Sequence, residues 1–186
     1  MIPTKDNLNH IMRNSLEVVR TILKQADQRL ETTEKDLNQL SITSLLLNVE
    51  YILLHHSLTK DSQTVSWDAI RQYHTRDLGW QDIGYHFGIE LIGDHYEILA
   101  GRMLGEPGAH CKEQDMNRKS IGICFLGNFD LEPPVQKQWE LGLKLVRSLS
   151  DIFEIPRNKV TGHREYEPYK SCPGTRFDLD RFRKEI

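Results

Sequence analysis

The alternation of apolar and polar positions divides the sequence into two regions. Over residues 1–45, apolar residues recur at steps of three and four, which is typical of one face of a long helix. The stripe consists of Leu16, Val19, Leu23, Ala26, Leu30, Thr33, Leu37 and Leu40. Its register also fits a heptad seam, so the helix is predicted to pack either on its own domain or on a second chain. Alanine and threonine weaken a dedicated coiled coil, which slightly favours packing within the chain.

From residue 46 onward, the pattern changes to short apolar segments separated by turns. Strands are predicted at 49–54, 85–92, 96–100, 120–126 and 160–161, and helices at 67–79, 134–153 and 177–182. Gly93 and Asp94 form a turn between two of these strands. We therefore predict an α/β fold, with a central mixed β-sheet flanked by helices over residues 46–186 and a helical extension over residues 1–45.

Composition and charge exclude several classes of function. The chain has 24 Lys and Arg against 27 Asp and Glu, so its net charge of -3 offers no electrostatic case for nucleic acid. No apolar run approaches the ~20 residues that span a bilayer, and the first residues lack the apolar core of a secretory signal. Three cysteines are a poor disulfide framework and fit a reducing compartment better. We expect cytoplasmic synthesis without a signal peptide and no membrane insertion.

Three short segments carry candidate metal ligands. They are LLHHS at 53–57, TGHRE at 161–165 and KSCPG at 170–174. Two histidines and one cysteine are a suitable ligand set for catalytic zinc, because three protein ligands leave a fourth position for water. Each segment is weak evidence alone, since a strand-end histidine or a lone cysteine is more often structural. The spacing by itself does not establish a site.

The order of motifs along the chain is more specific. HHS is followed by WQDIGYHF at 80–87, GAHC at 108–111 and SIGICFLGNFD at 120–130, and then by GHRE and KSCPG. Over residues 50–183 this order resembles the type 2 N-acetylmuramoyl-L-alanine amidases, which include small phage endolysins and animal peptidoglycan-recognition proteins. The resemblance implies a Zn2+ hydrolase that cleaves the amide between N-acetylmuramic acid and L-alanine in peptidoglycan.

The resemblance also assigns roles to individual residues. It implies that His55, His163 and Cys172 bind the metal and that Tyr85 and Lys170 are catalytic. The histidine that follows His55 is expected to be a neighbour rather than a ligand, because adjacent side chains of a strand point to opposite faces.

Four further residues are candidates for substrate binding. His110 and Asn117 are expected to line the substrate groove, although His110 is equally suited to capping a loop. Arg102 and Arg164 are candidates for pairing with stem-peptide carboxylates, with a plain surface role as the alternative.

The remaining tryptophan and cysteine side chains near these motifs are expected to be structural. Trp67 and Trp80 are predicted to lie in the core, and Cys111 and Cys124 to be structural thiols.

Several functions share these motifs. The cysteine ligand and Tyr85 favour an enzyme over a non-catalytic peptidoglycan-binding protein. A cytosolic amidase that recycles muropeptides has the same chemistry, whereas the phage-like KSC segment favours a lytic enzyme that acts on the cell wall after release. A third alternative is a structural or delivery component that uses the N-terminal helix. The expected partners are peptidoglycan or muropeptides, with possible self-association through that helix.

Overall fold

A five-stranded β-sheet organises the fold. The computed structural model describes residues 18–21, 49–59 and 65–186. Its strands are β1 (Tyr51–His56), β2 (Phe87–Ile92), β3 (His95–Ala100), β4 (Ser120–Phe125) and β5 (Val160–Gly162). Their order is β3-β2-β4-β1-β5, with β3 antiparallel to β2 and the other neighbours parallel. The predicted mixed sheet is confirmed.

Helices pack against this sheet and connect its strands. They are α1 (Trp67–Gln72), α2 (Met116–Lys119), α3 (Gln136–Phe153) and α4 (Leu179–Glu185). A π-helical turn, Tyr73–Asp77, extends α1, and three 3-10 turns cover Glu113–Asp115, Arg157–Lys159 and His163–Glu165. Among the described residues, no helix has the length and apolar character that crossing a bilayer requires.

One face of the sheet, the core face, is apolar except for His56 at the end of β1. It consists of Ile52, Leu54, Phe87, Ile89, Ile121, Ile123 and Phe125, all of which are buried. Helices α3 and α4 complete the same cluster with Trp139 and Phe182, whose rings meet edge to face at 4.9 Å between centroids. Strand alternation therefore directs every second residue of β1, β2 and β4 into one continuous core.

The opposite face, the site face, carries mostly small and polar residues, with Leu53 as a large apolar one. It consists of Leu53, His55, Gly88, Glu90, Gly122 and Cys124, which alternate with the core-face positions. A Cβ at Gly88 would lie 2.4 Å from the Trp67 ring, and one at Gly122 would lie 2.5 Å from the His110 ring. The two glycines thus leave room for aromatic rings to lie directly on the sheet. Trp67 is only 3% exposed, which confirms its predicted place in the core.

The limits of some elements differ from the prediction. Strand β1 runs two residues further than predicted, because His55 and His56 continue the parallel pairing with Cys124 and Phe125 of β4. Helix α4 begins at Leu179 rather than at residue 177, because the Asp178 side chain accepts a hydrogen bond from Arg181 N and caps the helix there.

Only four residues of the N-terminal extension are described. Residues 18–21 are helical, and Val18 is 5% exposed and belongs to the main core cluster. Val19, which the predicted stripe includes, is 37% exposed. At this point the buried position is thus one residue earlier than predicted. The rest of the stripe lies outside the described residues, so the extension's boundary and its self-association stay predictions.

Candidate metal centre and substrate cavity

The three predicted ligands meet where the parallel strands end. His55 lies near the carboxyl end of β1, and His163 directly follows β5. Cys172 lies on the loop beyond His163, and its backbone carbonyl accepts a hydrogen bond from Arg164 N at 2.7 Å. The carboxyl edge of a parallel sheet is where ligand sites of open α/β folds occur. Residues 117 positions apart in the sequence, His55 and Cys172, thus become neighbours.

The spacing of the donor atoms fits a tetrahedral metal ion. Ligand atoms of His55, His163 and Cys172 all lie within 4.8 Å of one another. The distance between Cys172 Sγ and His55 Nδ1 is 3.5 Å. Tetrahedral zinc with usual bond lengths separates a sulfur and a nitrogen ligand by about 3.6 Å. The residues present therefore suit zinc in chemistry, and the spacing of Cys172 and His55 fits its geometry.

Each of the two candidate histidine ligands has a partner at its Nε2 atom. His55 Nε2 lies 3.1 Å from His110 Nδ1, and His163 Nε2 lies 3.0 Å from Glu167 Oε1. If both histidines use Nδ1 toward the metal, their Nε2–H groups donate to these partners. Such contacts fix the ring orientation of metal-ligating histidines.

Burial controls the ionisation of the ligands. Desolvation lowers the pKa of His55 well below its usual value, and the neighbouring histidines lower it further. Desolvation also raises the pKa of the Cys172 thiol to about 12. Desolvation lowers the pKa of His163 as well, so burial favours the neutral ligand form of both histidines. A thiolate at Cys172, in contrast, requires a cation to compensate its charge.

A cavity of about 680 Å³ opens above the three ligands. Tyr85 and Lys170 both line it, as the sequence predicts for residues that act on a substrate. Burial raises the pKa of Tyr85 well above its usual value, so its phenol remains protonated. The Lys170 ammonium lies 2.7 Å from Glu167 Oε2, and its side chain is 41% exposed. It is therefore a cation at the mouth of the cavity.

His110 and Asn117 line the same cavity, but they also have clear structural contacts. Asn117 Oδ1 accepts hydrogen bonds from the backbone N–H groups of His110 and Cys111, each at 2.7 Å. His110 is 7% exposed and faces His55. Asn117 thus holds the loop that places His110 against the ligand.

The two candidate arginines do not belong to the cavity. The Arg102 guanidinium donates to the backbone carbonyls of Ile83 and Pro107, both at 2.7 Å, and does not line the cavity. Arg164 donates to the carbonyls of Gly174 and Phe177 at 2.5 and 3.3 Å. Because backbone carbonyls occupy these donors, both arginines brace loops, and their pairing with stem-peptide carboxylates stays a prediction.

Three side chains contribute to the site without having been predicted. Trp80, expected in the core, is instead partly exposed, lines the cavity and stacks on His74 at 4.6 Å between centroids. Asp130 accepts hydrogen bonds from Ser171 Oγ and Thr175 N, both at 2.7 Å, and so holds the loop on each side of Cys172. Glu167 stands four residues after His163, a helical spacing that offered the one sequence signal for their contact.

Three further histidine and cysteine residues near the site have structural contacts. His56 points to the core face, where its Nδ1 accepts a hydrogen bond from Phe129 N at 3.2 Å, and it is not in the ligand group. Cys111 and Cys124 are buried free thiols, as predicted. Cys111 also lies near His163 and Glu167 in a second group of possible metal ligands.

Comparison with known proteins places this site in a family. The sequence profile described as N-acetylmuramoyl-L-alanine amidase matches residues 46–175. The chain belongs to the type 2 N-acetylmuramoyl-L-alanine amidase family. It is 36% identical to the endolysin of Escherichia phage T7 over 138 residues, covering 73% of this chain and 85% of the endolysin. It is also 34% identical to peptidoglycan-recognition protein SC2 of Drosophila melanogaster over 141 residues, covering 73% of each chain.

Solved structures of amidases and recognition proteins share the fold. The endolysin amidase LysCS of Clostridium intestinale aligns with a TM-score of 0.65 and 26% identity, over 76% of this chain and 85% of that one. A point mutant of Drosophila peptidoglycan-recognition protein LB, in complex with tracheal cytotoxin, aligns with a TM-score of 0.58 and 28% identity, over 71% of this chain and 79% of that one. The family members similar to this chain therefore include both endolysins and recognition proteins.

Proposed function

We propose that the protein is a zinc-dependent amidase that hydrolyses the bond between N-acetylmuramic acid and L-alanine in peptidoglycan. The observation that carries this proposal is the group of His55, His163 and Cys172 at the floor of an open cavity. Membership of the amidase family supplies the substrate class.

The side chains of His55, His163 and Cys172 would hold the metal at the floor of the cavity. Zinc bound there would polarise the scissile carbonyl and lower the pKa of a water molecule. His110 and Glu167 keep the ligand rings oriented through the Nε2 contacts described above.

Two residues of the cavity wall act on the substrate. Lys170 offers a positive charge to the oxygen of the scissile carbonyl, where negative charge develops during attack. The Tyr85 phenol lines the same cavity, is held protonated by burial and can donate a hydrogen bond to the reacting groups.

We further propose a phage or prophage-type lytic role. The protein is then made in the cytoplasm and reaches the cell wall after release. Similarity to the phage T7 endolysin supports this role. Action on muropeptides within the cytoplasm is the alternative, and it involves the same bond.

Digestion of purified peptidoglycan tests the chemistry. We expect the zinc-loaded protein to release stem peptides with an N-terminal alanine, detected by mass spectrometry, without new reducing sugar ends. New reducing ends would indicate a glycosidase and overturn the proposal. Binding to peptidoglycan with no release of peptides would instead indicate a recognition protein.

A further inference from the structure

A buried carboxylate lies between two parts of the proposed site. Glu167 is 6% exposed, and each of its oxygens meets a different part. Oε1 lies 3.0 Å from His163 Nε2, whereas Oε2 lies 2.7 Å from the Lys170 ammonium and 2.5 Å from the Tyr169 hydroxyl. One side chain thus contacts a metal ligand and the cation at the cavity mouth.

The contact at Oε1 determines which nitrogen of His163 is free. An ionised carboxylate only accepts hydrogen bonds, so Nε2 of His163 carries the proton and Nδ1 remains available to the metal. The His163 side chain is 6% exposed, so water competes little for this bond.

The contacts at Oε2 restrain Lys170. The lysine ammonium stands at the end of a flexible four-carbon chain, and the Lys170 side chain is 41% exposed. Without a partner, this ammonium would therefore sample many positions. The ion pair with Glu167, three residues earlier, keeps it beside the cavity. The Tyr169 hydroxyl donates to the same oxygen and thereby steadies the carboxylate.

A direct metal-binding role for Glu167 fits the contacts less well. Cys111, His163 and Glu167 do lie close enough to form a ligand group. Both carboxylate oxygens, however, already accept hydrogen bonds, and a metal ion on Oε2 would stand next to the Lys170 ammonium.

We propose that Glu167 is a positioning residue with two separable effects. Through Oε1 it fixes the tautomer and orientation of His163, and through Oε2 it holds Lys170 in place for the reaction. The proposal rests on the proposed zinc amidase function.

Zinc affinity, measured by competition with a chromophoric chelator, tests the first effect without any substrate. Glu167→Ala is expected to weaken zinc binding by about 10–100-fold, the range for partners of ligating histidines. Glu167→Gln retains an oxygen toward His163 and is expected to restore most of the affinity. Glu165→Gln is the matched control, because Glu165 lies on the same loop and contacts Gly162 N and Arg183 instead. It is expected to bind zinc as the parent does.

Nitrogen NMR of the metal-free protein gives a second readout. The parent is expected to show His163 with its proton on Nε2, and Glu167→Ala a mixture of both tautomers. The effect on Lys170 is measured separately, as the kcat of Glu167→Gln at saturating zinc. This kcat is expected to be lower than that of the parent by roughly tenfold to a hundredfold, because the amide nitrogen repels the Lys170 ammonium.

Three outcomes would overturn the proposal. The first is a Glu167→Ala protein that binds zinc as tightly as the parent and keeps the His163 tautomer. The second is a loss of zinc as complete as that caused by replacing Cys172, which would make Glu167 a ligand. The third is an unchanged kcat for Glu167→Gln. A parent that binds zinc but releases no stem peptides would contradict the amidase function and leave the positioning of His163 intact.

Discussion

The core face and the site face of the sheet are made from the same strands but place different demands on their side chains. The core face carries seven large apolar residues that only need to fill the space beneath α3 and α4. The site face has glycine at two of its positions, and each glycine supports an aromatic ring at a distance that excludes even a methyl group. Volume matters on one face, and the position of individual atoms matters on the other.

This difference suggests that the two faces tolerate substitution differently. Apolar cores accept changes of similar volume at a small cost in stability. Metal ligands and their hydrogen-bond partners work only within narrow limits of distance and angle. Variants on the site face should therefore lose zinc binding or activity before they lose stability, and those on the core face the reverse.

The largest effect on zinc binding is expected from replacing Cys172, the sulfur ligand of the proposed site. Cys172→Ser replaces a thiolate with an alcohol and should weaken zinc binding by more than about a hundredfold. This loss is larger than the loss expected when a residue that only hydrogen-bonds to a metal ligand is replaced. Activity on peptidoglycan should fall in parallel. Cys111→Ser is the matched control, and chelator competition on both proteins measures the difference. If the two variants behaved in the opposite way, the group of Cys111, His163 and Glu167 would be the metal site.

The next effect separates catalysis from metal binding. Tyr85→Phe removes only the phenol oxygen and should lower kcat by about a hundredfold, as expected for the loss of a donor to developing charge. Zinc affinity should stay at the parent value, because Tyr85 is not in the ligand group. An unchanged kcat would show that the phenol takes no part in the reaction.

Zinc affinity should also depend on pH. Burial holds the pKa of the free Cys172 thiol at about 12, so the thiol is protonated throughout the neutral range and zinc displaces its proton. His55 contributes no further proton, because its pKa is lowered and the ring is already neutral. The association constant should rise about tenfold for each pH unit, from slightly acid to slightly alkaline solution. A pH-independent constant would mean that the thiol is already ionised before zinc binds.

The smallest expected effects come from two neighbouring residues of β4 that lie on opposite faces of the sheet. Ile123→Val on the core face should lower the free energy of unfolding by about 0.5–1.5 kcal/mol and leave zinc affinity unchanged. Gly122→Ala, one residue away on the site face, should instead displace the His110 ring, because the new Cβ would lie 2.5 Å from it. Chemical denaturation and chelator competition on both variants measure the contrast. Equal effects on zinc would show that the faces are not independent.

The sequence predicted the sheet well because each strand has a strong local signal, whereas the candidate ligands were identified only from the order of the motifs and the family resemblance. Each strand is an apolar segment, and His55 and His163 stand at the ends of two of them. The limits of β1 were less predictable, because they depend on pairing with β4, some seventy positions later. The contacts of Arg102 and Glu167 were not predictable, because they are made with irregular loops. In such loops, no periodicity indicates which backbone carbonyls or side chains a residue will contact.

The distance between the ligands along the chain has a mechanical consequence. All three cysteines are free, so no covalent bond joins distant parts of the protein. A metal ion shared by His55 and Cys172, which are 117 positions apart, would act as a reversible cross-link between β1 and the loop that carries Cys172. Removal of the ion would release that loop while leaving the apolar core in place. Chelation should therefore expose the loop to proteases well before it unfolds the sheet.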